Sequence, residues 1–142
     1  MLELIVDASV ALKWFPLKDE TAVSESQGVW EAIQLGEIKA YAPLFMLVEI
    51  ANVLARKKKV EMVVFRKILG RLADSKIIFV DLKKADLKRL GILVNKYDLT
   101  AYDAQYILLA KQLGCKLVTY DEELLRVKSL TIRPAALKDL QE

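Results

Sequence analysis

Short apolar runs rich in β-branched residues alternate along the chain with longer stretches whose apolar positions recur every three or four residues. The first pattern predicts buried strands and the second predicts helices packed on them. Residues 2–6 (LELIV) read as a first strand and 8–15 as a short helix stopped before Pro16. Residues 21–35 read as a helix with Gly36 as its C-cap, because glycine adopts the left-handed conformation a helix end often needs. A second, short strand follows over 38–42. Pro43 then suits the first turn of a helix reaching to about residue 57, where its missing N–H has no partner to lose. Residues 61–73 are helical and 77–80 form a third strand. Two further helices cover 85–97 and 101–113, the second ended by Gly114. Residues 116–120 form a fourth strand, 122–126 a short helical turn and 130–132 a weak fifth strand. Strands alternating with helices imply parallel pairing through right-handed crossovers, hence a three-layer α/β fold. At 142 residues, with no repeat or linker-like segment, residues 1–142 are expected to form one domain.

Composition narrows the chemistry. Histidine is absent and there is one cysteine, Cys115. No imidazole base, histidine ligand or disulfide can form within the chain, and a zinc site built on nitrogen and sulfur is excluded. The single cysteine fits a reducing cytoplasm, and Cys115, opening the run CKLVTY, reads as a small buried hydrophobe. A hydrophobic fraction of 54% and a mean hydropathy of +0.25 exceed what one small core requires and suggest a further buried surface, a homodimer or a tight partner. No uncharged apolar run approaches the ~20 residues that cross a bilayer, and the N-terminal run carries Glu3 and Asp7, as a strand does and a signal peptide does not.

Four carboxylates occupy positions that the pattern brings to one edge of the sheet: Asp7 in LIVDAS, Glu49 in PLFMLVEIANVL, Asp103 in LTAYDAQYILLA and Asp121 in LVTYDEEL. Asp7 and Asp121 directly follow strand-like runs, so adjacent first and fourth strands would present both where open α/β sheets bind ligands. Each acid has a plainer reading. Asp7 and Asp121 precede helices as an N-cap does. Asp103 lies three residues after Thr100, close to a capping box. Glu49 escapes that explanation, because it lies inside an otherwise apolar helix where Glu49, Asn52 and Arg56 make one polar stripe. Such a helix is expected to be buried on most sides, with the stripe aimed into a cleft. Two carboxylates ~5 Å apart at an effective dielectric of ~20 repel by about 3 kcal/mol, and four acids make six such pairs. A divalent cation or partial protonation must relieve such a cluster. With only oxygen ligands to offer, the cation is Mg²⁺ or Mn²⁺.

The formal charge is +3; leaving those four out of the 19 acids sets 15 acids against 22 basic residues. A basic body around an acidic pit suits a polyanion processed at a metal. The run from Arg56 to Lys59 also has a simpler role, because cations favour the negative end of a helix. Lys83, Lys84, Lys88 and Arg89 are expected to form a solvated helix face, and Trp14 and Phe15 to serve core or interface.

The segments VDAS at Asp7, Glu49 with Asn52 one turn later, LTAYDAQYILLA at Asp103 and LVTYD at Asp121 together resemble the PIN-domain nucleases. Within that family they are most similar to the small VapC-type toxins of toxin–antitoxin pairs. The resemblance spans essentially the whole chain. It implies a parallel sheet ordered 3-2-1-4-5, Mg²⁺- or Mn²⁺-dependent cleavage of RNA, dimers and an inhibitory antitoxin partner. The family's acids fall on Asp7, Glu49, Asp103 and Asp121, and its small polar residues on Ser9, Asn52 and Thr119. Asp7 and Asp103 would be direct ligands, with Glu49 and Asp121 as ligands or held through water, and Ser9, Asn52 and Thr119 would orient water or phosphate. Glu122 and Glu123 compete with Asp121 as the fourth acid, and Asp98 is expected to face water. Other PIN proteins process RNA without being toxins.

Two other classes compete. Receiver-like and dehalogenase-like phosphoryl-transfer domains also use Asp with Mg²⁺, but the former needs paired acids at the first strand's end, where this chain has Asp7–Ala8. The latter needs a second Asp two residues on, where this chain has Ser9. A non-catalytic RNA- or protein-binding module of the same fold is the third class.

Overall fold

The computed structural model describes residues 1–15 and 23–141. The predicted stop at Pro16 and the start of the 21–35 helix lie outside the described residues. Strands β1 (Leu2–Val6), β2 (Ile38–Pro43), β3 (Ile78–Val80), β4 (Lys116–Val118) and β5 (Thr131–Ile132) form one sheet in the order β3-β2-β1-β4-β5. Every pairing is parallel. The helices are α1 (Ala8–Ala11), α2 (Val23–Gln34), α3 (Phe45–Asn52), α4 (Met62–Ala73), α5 (Leu87–Tyr97), α6 (Ala101–Leu113), α7 (Glu122–Leu125) and α8 (Lys138–Gln141). Both faces of the sheet are covered, so the second half of β1 is apolar without alternation: Leu4, Ile5 and Val6 are each fully buried.

The chain leaves β1 to one side for β2 and β3, then returns across the sheet to the other side of β1 for β4 and β5. That reversal opens a crevice beyond the carboxyl ends of β1 and β4, the position at which open α/β sheets hold ligands. Register fixes what meets there. Val6 pairs with Val118, so residue 7 emerges beside residue 119.

Pro43 ends β2 and does not begin the following helix; it pairs in register with Val80. The next amide, Leu44 N–H, donates to the Val80 carbonyl at 2.9 Å. By alternation the missing N–H of Pro43 faces β1, whose pairing with β2 has already stopped at Tyr41, so the proline costs no ladder bond. The helix that follows is α only to Asn52 and then loosens into a π turn over Val53–Lys57. It is also less buried than its apolar sequence suggests. Met46, Ile50 and Leu54 face the core, whereas Leu44 and Val48 are 44% and 59% exposed. An apolar residue on a helix faces core or interface alike, and sequence pattern does not separate the two.

Trp14 and Phe15 are core residues, buried against the Trp30 ring at centroid distances of 4.8 and 5.8 Å. Lys83, Lys84, Lys88 and Arg89 are exposed as expected, and the Cys115 thiol is half-buried. The 3₁₀ turn at Pro134–Ala136 and helix α8 have no counterpart in the sequence reading.

Candidate active site

Asp7 leaves the end of β1 and caps α1, its Oδ1 accepting from the Ser9 N–H at 2.9 Å and the Val10 N–H at 3.3 Å. The same oxygen accepts from the Ser9 hydroxyl at 2.5 Å. Oδ2 accepts from the Thr119 hydroxyl at 2.6 Å, the contact that the β1–β4 register sets up. Thr119 in turn accepts the Asp121 N–H at 2.9 Å, so one hydroxyl joins two of the acids. Ser9 Oγ accepts the Tyr120 N–H at 3.0 Å and adds a second tie between the ends of β1 and β4. Asp121 caps α7, its Oδ1 accepting from the Glu123 N–H at 2.9 Å.

The other wall comes from α3 and α6. Glu49 Oε1 accepts from the Tyr106 hydroxyl at 2.5 Å. Asp103 sits in the first turn of α6, where its N–H donates to Thr100 Oγ1 at 3.1 Å. Tyr106 is one helical turn beyond Asp103 on the same face and is buried. The sequence reading did not single it out; a tyrosine three residues after an acid, inside an apolar helix, was the available signal.

The acids sense one another. Burial pushes the Asp7 carboxyl up from 3.8 to about 6 despite hydrogen bonds from Ser9, Thr119 and Val10, and the Asp121 charge adds to the rise. Burial likewise lifts Glu49 from 4.5 to about 7; the Tyr106 hydroxyl opposes this, and the charges of Asp7, Asp103 and Asp121 reinforce it. Asp103 is raised by burial and then by Asp121, with Thr100 opposing and Glu123 adding. Among the described residues no ion pair reaches any of the four acids. Their neighbours are engaged elsewhere, Glu123 with Arg126 at 2.7 Å and Glu122 with Arg133 at 2.9 Å. Asp121 is tied to the crevice through its own N–H on Thr119, while the Glu123 charge still reaches Asp103. Asp98 is exposed at the left-handed end of α5, as expected. Asn52 stays at the surface beside Glu49 and takes no part in the hydroxyl network among the described residues.

The donor set suits a hard divalent ion: carboxylates and hydroxyls without nitrogen or sulfur. Oδ1 of Asp7 is saturated by three donors, whereas Oδ2 receives one and keeps a lone pair for a cation. Among the described residues no group of three or more acids is close enough to form a ready-made cage. Electrostatic coupling reaches farther than coordination, so the two observations agree. An ion that keeps much of its water and binds through one or two carboxylates, as Mg²⁺ does, would need no such cage.

A family model described as the PIN domain matches residues 4–130. No curated protein matches the chain. Among solved structures, PAE2754 from Pyrobaculum aerophilum is similar at a TM-score of 0.68 and 23% identity, over 96% of this chain and 92% of that one. A toxin–antitoxin complex from Klebsiella pneumoniae contains a chain similar at 0.66 and 18% identity, over 92% of this chain and 97% of that one. FitAcB from Neisseria gonorrhoeae is similar at 0.61 and 15% identity, over 93% and 98%. At these identities the likeness is one of fold.

Proposed function

The chain belongs to the PIN domain family, and from that membership we propose that it is a ribonuclease dependent on Mg²⁺ or Mn²⁺, and the toxin of a toxin–antitoxin pair. The observation that carries the nuclease reading is the set of four mutually repelling acids, two of them pushed to about 6 and about 7, at the topological switch of the sheet. A structural cluster would be neutralised by lysine or arginine; among the described residues this one is buttressed by hydroxyls instead.

Asp7 and Asp103 would hold the ion directly, with Glu49 and Asp121 completing the set directly or through water. The ion, when bound, supplies positive charge to the phosphodiester and lowers the pKa of a bound water. Ser9 and Thr119 hold the Asp7 carboxylate in one orientation, so its free lone pair is aimed before any substrate arrives. Tyr106 does the same for Glu49, whose second oxygen is left to accept a proton or position a water. With no histidine in the chain, a carboxylate is the group suited to proton transfer, and burial raises Glu49 toward neutrality in the metal-free site.

The toxin role is supported by the fold likeness to a chain from a toxin–antitoxin complex and by apolar surface that wants cover. Leu44, just ahead of α3, is exposed, as are Met62 and Val63 at the start of α4, at 66% and 72%. Exposed apolar side chains of this kind suit cover by a second copy or by an antitoxin segment. No described helix is long and apolar enough to cross a membrane.

The deciding experiment incubates purified protein with single-stranded RNA in Mg²⁺, in Mn²⁺ and in EDTA, beside Asp7→Asn. Cleavage in either metal, lost in EDTA and in the variant, is the expected result. Cleavage that persists in excess EDTA, or at wild-type rate in Asp7→Asn, overturns the reading.

A further inference from the structure

A groove of about 490 Å³ opens beside the acids, and Glu49 forms part of its wall. Phe45 of α3 and Tyr102 of α6 stack there, ring planes 7° apart and centroids 5.2 Å apart. Nearly parallel planes at that separation are offset, and Tyr102 remains 60% exposed although Phe45 lies against it. Exposed tyrosine in an offset stack is an aromatic platform without a third ring. Tyr102 also directly precedes Asp103, so the platform and a site acid share the first turn of α6.

The polar groups around the groove indicate what completes the stack. Asn52 offers a donor and an acceptor, Glu49 an acceptor, and Lys57 a cation at the end of the π turn. Arg56 and Lys59 are exposed beside Lys57 in sequence. Val48 and Val53 also line the groove, and a purely apolar side chain seated there would leave Asn52 desolvated without a partner. A nucleobase presents a π-face to Tyr102 and a polar edge to Asn52, and its own phosphate can reach the basic end.

We propose that this groove is a nucleobase subsite: one base of a single-stranded RNA stacks on Tyr102, its edge meets Asn52, and the adjoining phosphate lies toward Lys57. The proposal rests on the nuclease reading for its substrate class and adds where the strand lies. A base–aromatic stack is worth about tenfold in affinity or more, and a phosphate contact shows as about one unit of salt slope.

The test measures binding in EDTA, where no cleavage is expected, so that it stands apart from catalysis. The probe is a fluorescein-labelled 12-nucleotide RNA of mixed sequence. The variants are Tyr102→Ala, Tyr102→Phe and Lys57→Gln, and a matched set of RNAs carries an abasic site at successive positions. Tyr102→Ala should weaken binding about tenfold with an unchanged salt slope, and Tyr102→Phe should stay within about twofold because the ring is kept. Lys57→Gln should lower the salt slope by about one. One abasic position should weaken wild type as Tyr102→Ala does and have no effect on that variant; this arm needs no change to the protein's fold. RNA bound equally by wild type and Tyr102→Ala, or not bound by wild type, overturns the proposal. Unchanged RNA binding with an altered oligomeric state in Tyr102→Ala also overturns it, and assigns the groove to a protein partner. Tyr102-dependent binding without cleavage in Mg²⁺ or Mn²⁺ would sink the nuclease reading and leave the subsite standing. Cleavage by wild type with no effect at Tyr102 would do the reverse.

Discussion

Replacing Asp7 with asparagine should stabilise the metal-free protein, and only above a particular pH. The folded-state carboxyl is pushed from 3.8 to about 6, so between those values the folded chain binds more protons than the unfolded chain. Stability therefore falls as pH rises through that window. At one unit per 1.36 kcal/mol, the ionised, fully buried Asp7 costs the fold roughly 3 kcal/mol above pH 7. Asparagine resembles the protonated acid. Its Oδ1 keeps the bonds from Ser9 and Val10, and its NH₂ can donate to Thr119 Oγ1 if that hydroxyl turns its proton toward Ser9 Oγ, 3.4 Å away. Asparagine is also as good a helix cap as aspartate, so α1 loses nothing. Thermal unfolding in EDTA should show Asp7→Asn melting about 5–10 °C above wild type at pH 8 and close to it at pH 4. No imidazole titrates in this window because the chain has no histidine. Glu49 does titrate nearby, and removing the Asp7 charge should also draw its pKa downward. An asparagine variant that is less stable at pH 8, or equally advantaged at pH 4 and pH 8, would show that Asp7 is not held as a strained anion.

Mg²⁺ or Mn²⁺ should raise the melting temperature at pH 8, by the equivalent of about 2.7 kcal/mol at a hundredfold excess over Kd. The increment should shrink below pH 6, as protons compete for Asp7 and Glu49, and calorimetry showing no metal effect at pH 8 would refute it. Thr119→Val removes the hydroxyl that serves both Asp7 and the Asp121 N–H, and should cost about 1–3 kcal/mol in urea unfolding at pH 8. A neutral result would mean that water replaces it freely. Tyr106→Phe deletes the hydrogen bond that favours ionised Glu49, so the Glu49 pKa should rise and the acid limb of the pH–rate profile should move to higher pH. An unshifted limb would separate Glu49 from the proton transfer.

Much of the site's placement was legible because it follows from short-range pattern. Asp7 ends a β-branched run, and a run of that kind sits at the centre of a parallel sheet, so its carboxyl end has one destination. Glu49 stood out because nothing local explains an acid inside FMLVEIANVL. Tyr106 did not stand out, since its partner is 57 positions away and an aromatic residue in an apolar helix already has an ordinary role as core. The exposure of Leu44 and Val48 was hidden for a related reason: amphipathic pattern reports apolar faces but not what covers them. Pro43 was misplaced by two readings of equal local merit, helix start or strand end, and only the extent of the β1 pairing decides between them.

The tie between Thr119 and Asp7 spans 112 positions of chain. A polypeptide emerging from its N-terminus carries Asp7, Glu49 and Asp103 long before β4 exists to be inserted beside β1. Until that late strand docks, the Asp7 carboxylate lacks the hydroxyl that orients it and the crevice lacks a wall. Domains fold largely as units, and pairings this distant along the chain form late. A growing chain with this topology therefore has no assembled crevice until it is nearly finished.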